Sequence, residues 1–520
     1  MARELDLAKT AMRGAVHLLS GKLASKLVGI IGSLLLIRLL TPEGYGDYNI
    51  AMIAPGLLNT FFNLGINAAL TKMLAEHKSK GQFGVLKAYL SSGLVFILCL
   101  SAGLTIFCYL FADVFAVYLI GKPSVAPLIR VASLLIISRM IYINAEGILI
   151  GLDATKEYAL IMLLMEILNA TLPNLLIFAG LGVFGALVGI GTGTLTVGIV
   201  SLLVIYRIVR ELVKDVPVSL SFMEIMKSMF RFSLPLRAGK LTLEGLGRIR
   251  ETIVANYVPS SEIGKYYGAR KMLNPLTYLT EPINAILFPL FSKIDGTEEP
   301  ETLKKIYSFS VKYASLIYLP SVLLISLLAQ PLISLLLGAD YSGAELYLVL
   351  IALGNFDYGL GITQVTRLLT AQGDTTTVFL LNVMIAAVRI PLIVFIVPRY
   401  GILGLLLINL ITRLPFDIVK LLLVRKKFDI GVKIIEKSRL YASLLVTAIV
   451  LQLILIPFTG ILKIVIGGFL GYTLFILLTI FFEFLRKSDL NMIEQILAPQ
   501  PLIGPLSKKL MPIMKRLARA

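Results

Sequence analysis

The sequence predicts an all-α fold: a polytopic membrane protein of about 14 transmembrane helices, built as two parallel six-helix lobes plus two C-terminal helices. Three observations predict it. The chain of 520 residues is 57% hydrophobic and only 15% charged, with a mean hydropathy of +0.88. Soluble domains run at about 45–50% apolar and about 25% charged, so a water-facing surface cannot be made from this composition. The apolar residues fall in runs long enough to cross a bilayer, and the runs repeat once along the chain.

A spanning helix needs roughly 20 mostly apolar residues. The runs are Gly14–Leu40, Tyr48–Leu74, Leu86–Phe111, Ala126–Gly151, Tyr158–Gly180, Phe184–Val209, Met229–Tyr257, Gly264–Phe291, Leu303–Leu328, Ala344–Thr370, Val378–Val397, Leu403–Val424, Leu440–Phe458 and Ile461–Phe484. The first run is long enough to span and stay, so no cleaved signal is expected. This divides the chain into an N-terminal lobe (1–215), a C-terminal lobe (216–430), two further helices (431–485) and a basic tail (486–520).

Lys and Arg in short connections set the orientation. With the N-terminus inside, one face collects Lys78, Lys80, Arg210, Lys214, Lys227, Lys293, Arg425, Lys426, Lys427, Lys433 and Lys437. The other holds little beyond Lys122, Arg399 and Lys463. Both termini are therefore expected in the cytoplasm, in a multi-pass protein of the cell membrane. The formal charge of +18 does not point to nucleic acid, because the basic residues punctuate apolar helices. The tail after Phe484 is basic with scattered Leu, Ile and Met, the pattern of an interfacial helix on anionic headgroups.

The sequence resembles itself at an offset of roughly 218 residues. Ser20-Gly21-Lys22-Leu23 returns as Ala238-Gly239-Lys240-Leu241, and Gly46-x-Tyr48 as Gly264-x-Tyr266. Ala112–Gly121 returns as Ala329–Gly338, Pro173 as Pro391, and Gly182-Val183-Phe184-Gly185 as Gly401-Ile402-Leu403-Gly404. An even number of helices per repeat returns the chain to the same side, so the repeats are parallel. Two such lobes leave a cleft that rocking can open to either face.

An ionisable group at mid-bilayer costs about 2.5–3.5 kcal/mol on insertion scales, so it should face protein or water. Arg237, Lys240, Glu244, Arg248 and Glu251 are spaced to share one face of the seventh span, as Lys22 and Lys26 are on the first. The repeat aligns Lys22 with Lys240 and Lys26 with Glu244. These stripes, with Arg270 and Asn63, are the candidate substrate-binding residues; Glu244, Glu251 and Asp357 are candidates for ion coupling or ion pairing. The competing reading is structural pairing, such as Lys26 with Glu244, or snorkelling near helix ends, expected for Arg38, Lys271 and Lys420. Asn59, Asn63 and Asn67 form a polar stripe on the second span, suited to sugar hydroxyls or to interhelical hydrogen bonds. The basic excess suits a phosphate-bearing ligand, which Arg grips with a bidentate fork and Lys with a point charge.

Other motifs carry little chemistry. Gly189-Ile190-Gly191-Thr192-Gly193-Thr194 lacks the lysine of a phosphate loop and reads as close helix packing. Asn169-Ala170-Thr171 is a sequon inside a helix. Cys99 and Cys108 lack redox or metal spacing, and His17 and His77 are far apart, so no metal or cofactor is expected.

Arg38-Leu39-Leu40-Thr41-Pro42-Glu43-Gly44-Tyr45-Gly46-Asp47-Tyr48 resembles the turn that follows the first helix of polysaccharide (oligosaccharide-lipid) flippases. Asn63–Leu70 resembles the continuation of that motif. Gly147–Asp153 and Thr370–Asp374 resemble the small-residue turns after the fourth and tenth helices. The wider group is the multidrug/oligosaccharidyl-lipid/polysaccharide exporter superfamily. The resemblance implies a transporter, not an enzyme. It would move a polyprenyl-(di)phosphate-linked oligosaccharide to the outer leaflet by alternating access, driven by Na+, H+ or the membrane potential. Its implied partners are the lipid-linked cargo and membrane lipids. It would act as a monomer near glycosyltransferases, the cargo tail lying against the last two helices. The alternatives are a cation-coupled multidrug exporter, which would want an acidic cavity, and a lipid II flippase. A membrane glycosyltransferase or polymerase would need a larger outer loop or an acidic metal motif.

Overall fold

The computed structural model describes residues 2–212, 220–294, 296, 298–497 and 504–517; among them, the side chains of 2–24, 238–240, 242–243, 279–286, 288, 492, 496–497 and 504–510 are outside the description. Lys22, Lys240 and His17 therefore fall outside the described side chains. The described residues are helical throughout, with no strand among them.

Each predicted span lies on helix, but the joins differ from the expected loops. Helix α1 (Ala2–Ala51) runs through the predicted first turn and is broken only at Thr41, which takes φ 63° before Pro42. The second span is then divided. Helix α2 (Ile53–Phe62) ends at Asn63, and α3 (Ile66–Ser79) restarts after Gly65 at φ +74°. The next elements are α4 (Phe83–Leu110), the short α5 (Ala112–Val114), α6 (Ala126–Gly151), α7 (Thr155–Leu176) and α8 (Gly182–Leu212). Then come α9 (Phe222–Tyr257), α10 (Ser260–Lys271), α11 (Asn274–Lys293), α12 (Pro300–Leu327), α13 (Ala329–Leu336), α14 (Ala344–Leu353) and α15 (Ile362–Ala371). The 54-residue α16 (Thr375–Phe428) carries two predicted spans across a break at Gly401. Helices α17 (Ile434–Ile454), α18 (Gly460–Phe481), α19 (Lys487–Leu497) and α20 (Gly504–Leu517) complete the chain. Seven helical stretches pass a length-and-hydropathy test for membrane crossing, or eight if the bent pair α14–α15 counts as one, so that test does not reproduce the expected count of about 14. Residues 155–212 and 375–428 each count once there although each holds two predicted spans.

The chain divides into two compact units, Met1–Tyr267 with Ile393–Ile402, and Gly268–Leu392 with Leu403–Ala520. In the first, α1 packs along α7, α6 against α4 and α8, and α9 against α2, α3 and α4. Small residues make these contacts close. A Cβ on Gly32 would fall 2.3 Å from Cβ of Ala170, and one on Gly189 would fall 2.5 Å from the backbone of Pro173. The glycine-rich stretch is thus a helix seam. Hydrogen bonds also tie the helices: the buried Asn174 Nδ2 donates to Gly32 O at 3.0 Å between α7 and α1, and Thr71 Oγ1 to Gly147 O at 2.9 Å between α3 and α6. In the second unit a core of Phe291, Tyr307, Val365, Leu368 and Leu369 ties α11, α12 and α15 together. Leu324, Leu328, Leu451 and Leu455 join α12 to α17.

The repeat is visible in backbone detail. Gly182 (φ 49°, ψ −133°) and its counterpart Gly401 (φ 55°, ψ −139°) share a conformation essentially closed to residues with a side chain. The turns after α6 and α15 make the same two bonds: Asp153 N–H to Ile150 O with Ala154 N–H to Leu149 O, and Gly373 N–H to Thr370 O with Asp374 N–H to Leu369 O. Gly46 and Gly264, another predicted pair, meet across the first unit. A Cβ on Gly46 would sit 1.8 Å from Ser260 O, and one on Gly264 1.8 Å from Pro42 O.

Candidate functional site

Three helices of the first unit enclose a cavity of about 340 Å³. Helix α2 supplies Gly56, Asn59 and Thr60, with Asn63 at its C-cap; α6 supplies Leu135, Ile136 and Arg139; α9 supplies Arg237, Glu244 and Arg248. The α9 residues reach it because positions seven and four apart return to one face of a helix. The lining therefore holds three guanidinium groups, one carboxylate, two amides and the Thr60 hydroxyl on an otherwise apolar wall.

The guanidinium of Arg237 grips Glu244 with both terminal nitrogens, Nη1 to Oε1 at 3.1 Å and Nη2 to Oε2 at 2.6 Å. Nη2 also donates to the carbonyl oxygen of Thr60 at 3.0 Å, and its buried Nε has no hydrogen-bond partner among the described residues. Arg248 donates from Nε to Thr60 Oγ1 at 3.3 Å and from Nη1 to Glu251 at 2.8 Å. Its approach depends on Gly56, where a Cβ would lie 2.8 Å from Nη1 and 2.9 Å from Cζ. Thr60 is thus held at its carbonyl and at its hydroxyl by two arginines from one stripe. These bonds are charge-assisted and join a fixed fork to fixed oxygens, which orients the cationic faces.

The structure gathers part of the predicted set. Arg237, Glu244, Arg248 and Asn63 line one cavity, and Glu251 stands behind Arg248. The pairing imagined between Lys26 and Glu244 is replaced by Arg237 with Glu244; Lys26 is half-buried in α1 and is not among the lining residues. Arg270 lies exposed at the end of α10, and Asp357 belongs to the second unit. The asparagine stripe is cut after Asn63, because the helix breaks there. Asn63 Oδ1 accepts from Gly65 N–H at 3.2 Å and shapes the turn, while Asn67 starts a new helix whose backbone packs against Gly147. Arg139 joins the site from α6, outside both charged stripes of the sequence.

In the second unit, Arg413 makes a matching fork to Asp357, Nε to Oδ2 and Nη2 to Oδ1, both at 2.7 Å. Asp417 lies 3.7 Å from Arg413 and 3.3 Å from Lys420. Lys420, expected to snorkel, is instead held by an ion pair three residues away on its own helix. Arg389 donates to Thr412 Oγ1 at 2.8 Å.

A protein-family model described as polysaccharide biosynthesis protein matches residues 35–346. Similar solved structures include the inward-facing conformation of a multidrug resistance MATE family transporter of the MOP superfamily, at 18% identity and a TM-score of 0.63, covering 80% of this chain and 98% of that one. Another is the lipid II flippase MurJ in an inward closed conformation, at 17% identity and a TM-score of 0.63, covering 90% and 99%. A third is a MOP superfamily transporter from Pyrococcus furiosus, described as having a binding pocket of reverse polarity that suggests a different function, at 19% identity and a TM-score of 0.52, covering 81% and 96%. At these identities the likeness defines the fold, which is that of multi-pass MOP superfamily transporters. No curated sequence matches the chain.

Proposed function

The chain belongs to the polysaccharide biosynthesis protein family, and from that membership we propose that it is a flippase for a polyprenyl-(di)phosphate-linked oligosaccharide, working by alternating access in the cell membrane. The observation that carries the proposal is the net positive charge at the first-unit cavity: Arg139, Arg237 and Arg248 line it with Glu244, and Glu251 stands behind Arg248. An organic-cation exporter would be repelled by that lining, whereas a phosphate or diphosphate finds bidentate donors, and Asn59 and Asn63 offer amides to sugar hydroxyls.

Glu244 acts in this reading as a placeholder. It is exposed enough to return to water, which frees the buried Arg237 fork for an incoming phosphate oxygen. Exchange of one anion for another leaves the guanidinium paired throughout, so no uncompensated cation is stranded during binding. Glu251 stays on Arg248 and fixes its orientation.

The test is lipid-linked sugar analysis in a deletion strain. Accumulation of the carrier-linked glycan on the cytoplasmic leaflet, cured by the wild-type gene and not by an Arg237→Gln/Arg248→Gln variant, is the expected result. Unchanged glycan export with altered drug susceptibility would overturn it. A lipid II flippase is the second reading, favoured by the wider fold match with that structure, 90% of this chain. Rescue of cells depleted of their own lipid II flippase would select it.

A further inference from the structure

The second unit holds two cavities, of about 540 and 580 Å³, well away in sequence from the arginine stripe. They share Lys305, Ser308, Lys433 and Glu436, so they are two lobes of one depression. Its walls are the start of α12, the 429–433 connection, the first turn of α17 and the start of α19. This is the end of the unit that carries the basic connection 425–437, expected on the cytoplasmic face.

Many charges there are already matched. Lys304 bridges Glu301 at 3.0 Å and Asp429 at 2.8 Å, Lys312 pairs with Asp489 at 2.7 Å, and Arg439 with Glu483 at 3.1 Å. Lys305, Lys433 and Lys437 are different. Among the described residues none of the three lies within ion-pairing distance of a carboxylate, and Glu436 is the single acidic group near them without a cation on it. Lys437 precedes the span predicted from Leu440 and is half-buried. Burial pushes its ammonium down to about 8, with Lys312 and Lys433 acting in the same direction and Glu436 against them. A partly desolvated cation among other cations is the arrangement an anion relieves. The α17 N-terminus adds to the field, because Lys433 at its N-cap provides no side-chain acceptor for the first backbone N–H groups.

We propose that this depression is a second binding site, independent of the cargo read above, for a phosphate-bearing anion held by Lys305, Lys433 and Lys437. Ser308, on the wall common to both cavities, offers a hydroxyl donor beside them. The shared chemistry is a phosphate oxyanion, supplied either by the headgroup of an anionic membrane lipid or by a soluble phosphate.

The experiment follows acetylation of Lys437 by acetic anhydride at pH 8, read by peptide mass spectrometry on the purified full-length protein. An anion that raises the Lys437 pKa by one unit from about 8 lowers the free-amine fraction at pH 8 from half to about a tenth, about a fivefold slowing. One arm adds inorganic phosphate to protein in detergent, with chloride at equal ionic strength as control. The other compares nanodiscs of phosphatidylglycerol with nanodiscs of phosphatidylcholine. Protection by phosphate assigns a soluble ligand, and protection only by phosphatidylglycerol assigns a lipid headgroup; both uphold the site. Equal labelling in every arm overturns it. A Lys305→Gln/Lys433→Gln variant should lose the protection at Lys437, and protection that persists there also overturns the proposal. Thermal unfolding of that variant checks its fold, and the wild-type arms stand without it.

Discussion

In the first unit Arg237 is the buried partner, 11% exposed, and Glu244 the open one at 45%; in the second, Asp357 is buried at 9% and Arg413 is the open one at 34%. Both pairs are bidentate forks of similar length, yet burial is assigned to opposite signs. The difference teaches which partner can leave. A buried charge must stay neutralised where it is, while an exposed one can trade its partner for water at little cost. Under the proposed function, the first pair exchanges its carboxylate for a visiting anion. The second cannot release its carboxylate and serves as a pin among α14, α15 and α16, with Asp417 and Lys420 extending it.

The sharpest way to break this contrast is Arg413→Ala. It strands the buried Asp357 and takes the same cation from Asp417, and leaving a buried charge uncompensated costs about 3–5 kcal/mol. The expected outcome is a large fall in melting temperature in detergent, with little folded protein recovered. Next comes Arg237→Gln/Arg248→Gln, for which glycan export should drop at least about tenfold while melting and membrane insertion change far less. Equal losses of stability from the Arg413 variant and from the Arg237/Arg248 variant would erase the distinction between pin and site. A third measurement sharpens the comparison between repeats. Gly182→Ala and Gly401→Ala should each destabilise by about 1–3 kcal/mol, and by similar amounts, because their backbones are nearly superimposable. The smallest effect belongs to Glu244→Gln. The amide still accepts from Arg237 and the Thr60 carbonyl remains, but the neutralising charge is gone, so stability should fall by about 1 kcal/mol, well short of the Arg413 variant. In this variant the pH or salt dependence of export is the informative readout.

Much of the fold was legible because hydrophobic length and glycine punctuation are local signals. The repeat was legible for the same reason: Gly182 and Gly401 mark backbone that no other residue adopts easily. The Arg237, Glu244 and Arg248 stripe was legible from helical spacing. What escaped was set by packing between distant segments. Arg139 reaches the site only because α6 lies on α2, and Arg413 meets Asp357 across 56 residues of chain. Asn67 was misassigned to the asparagine stripe although Gly65, two residues earlier, was a readable break. The Asp417–Lys420 pair was also readable, since positions three apart meet on a helix, but proximity to a helix end argued for snorkelling instead.

The contact of Gly46 with Ser260 and of Gly264 with Pro42 has a further consequence. Positions 42 and 46 stand to 260 and 264 as copy to copy, and each glycine touches the partner of the other's neighbour. That reciprocity is the signature of a two-fold interface between identical subunits. A chain of half this length could have closed the same contact with a second copy of itself before any fusion. Where side chains have room the two copies differ in charge, and Lys26 stands opposite Glu244 in alignment. At the glycines there is no such freedom, because a backbone pressed on a backbone leaves no volume in which a side chain could begin.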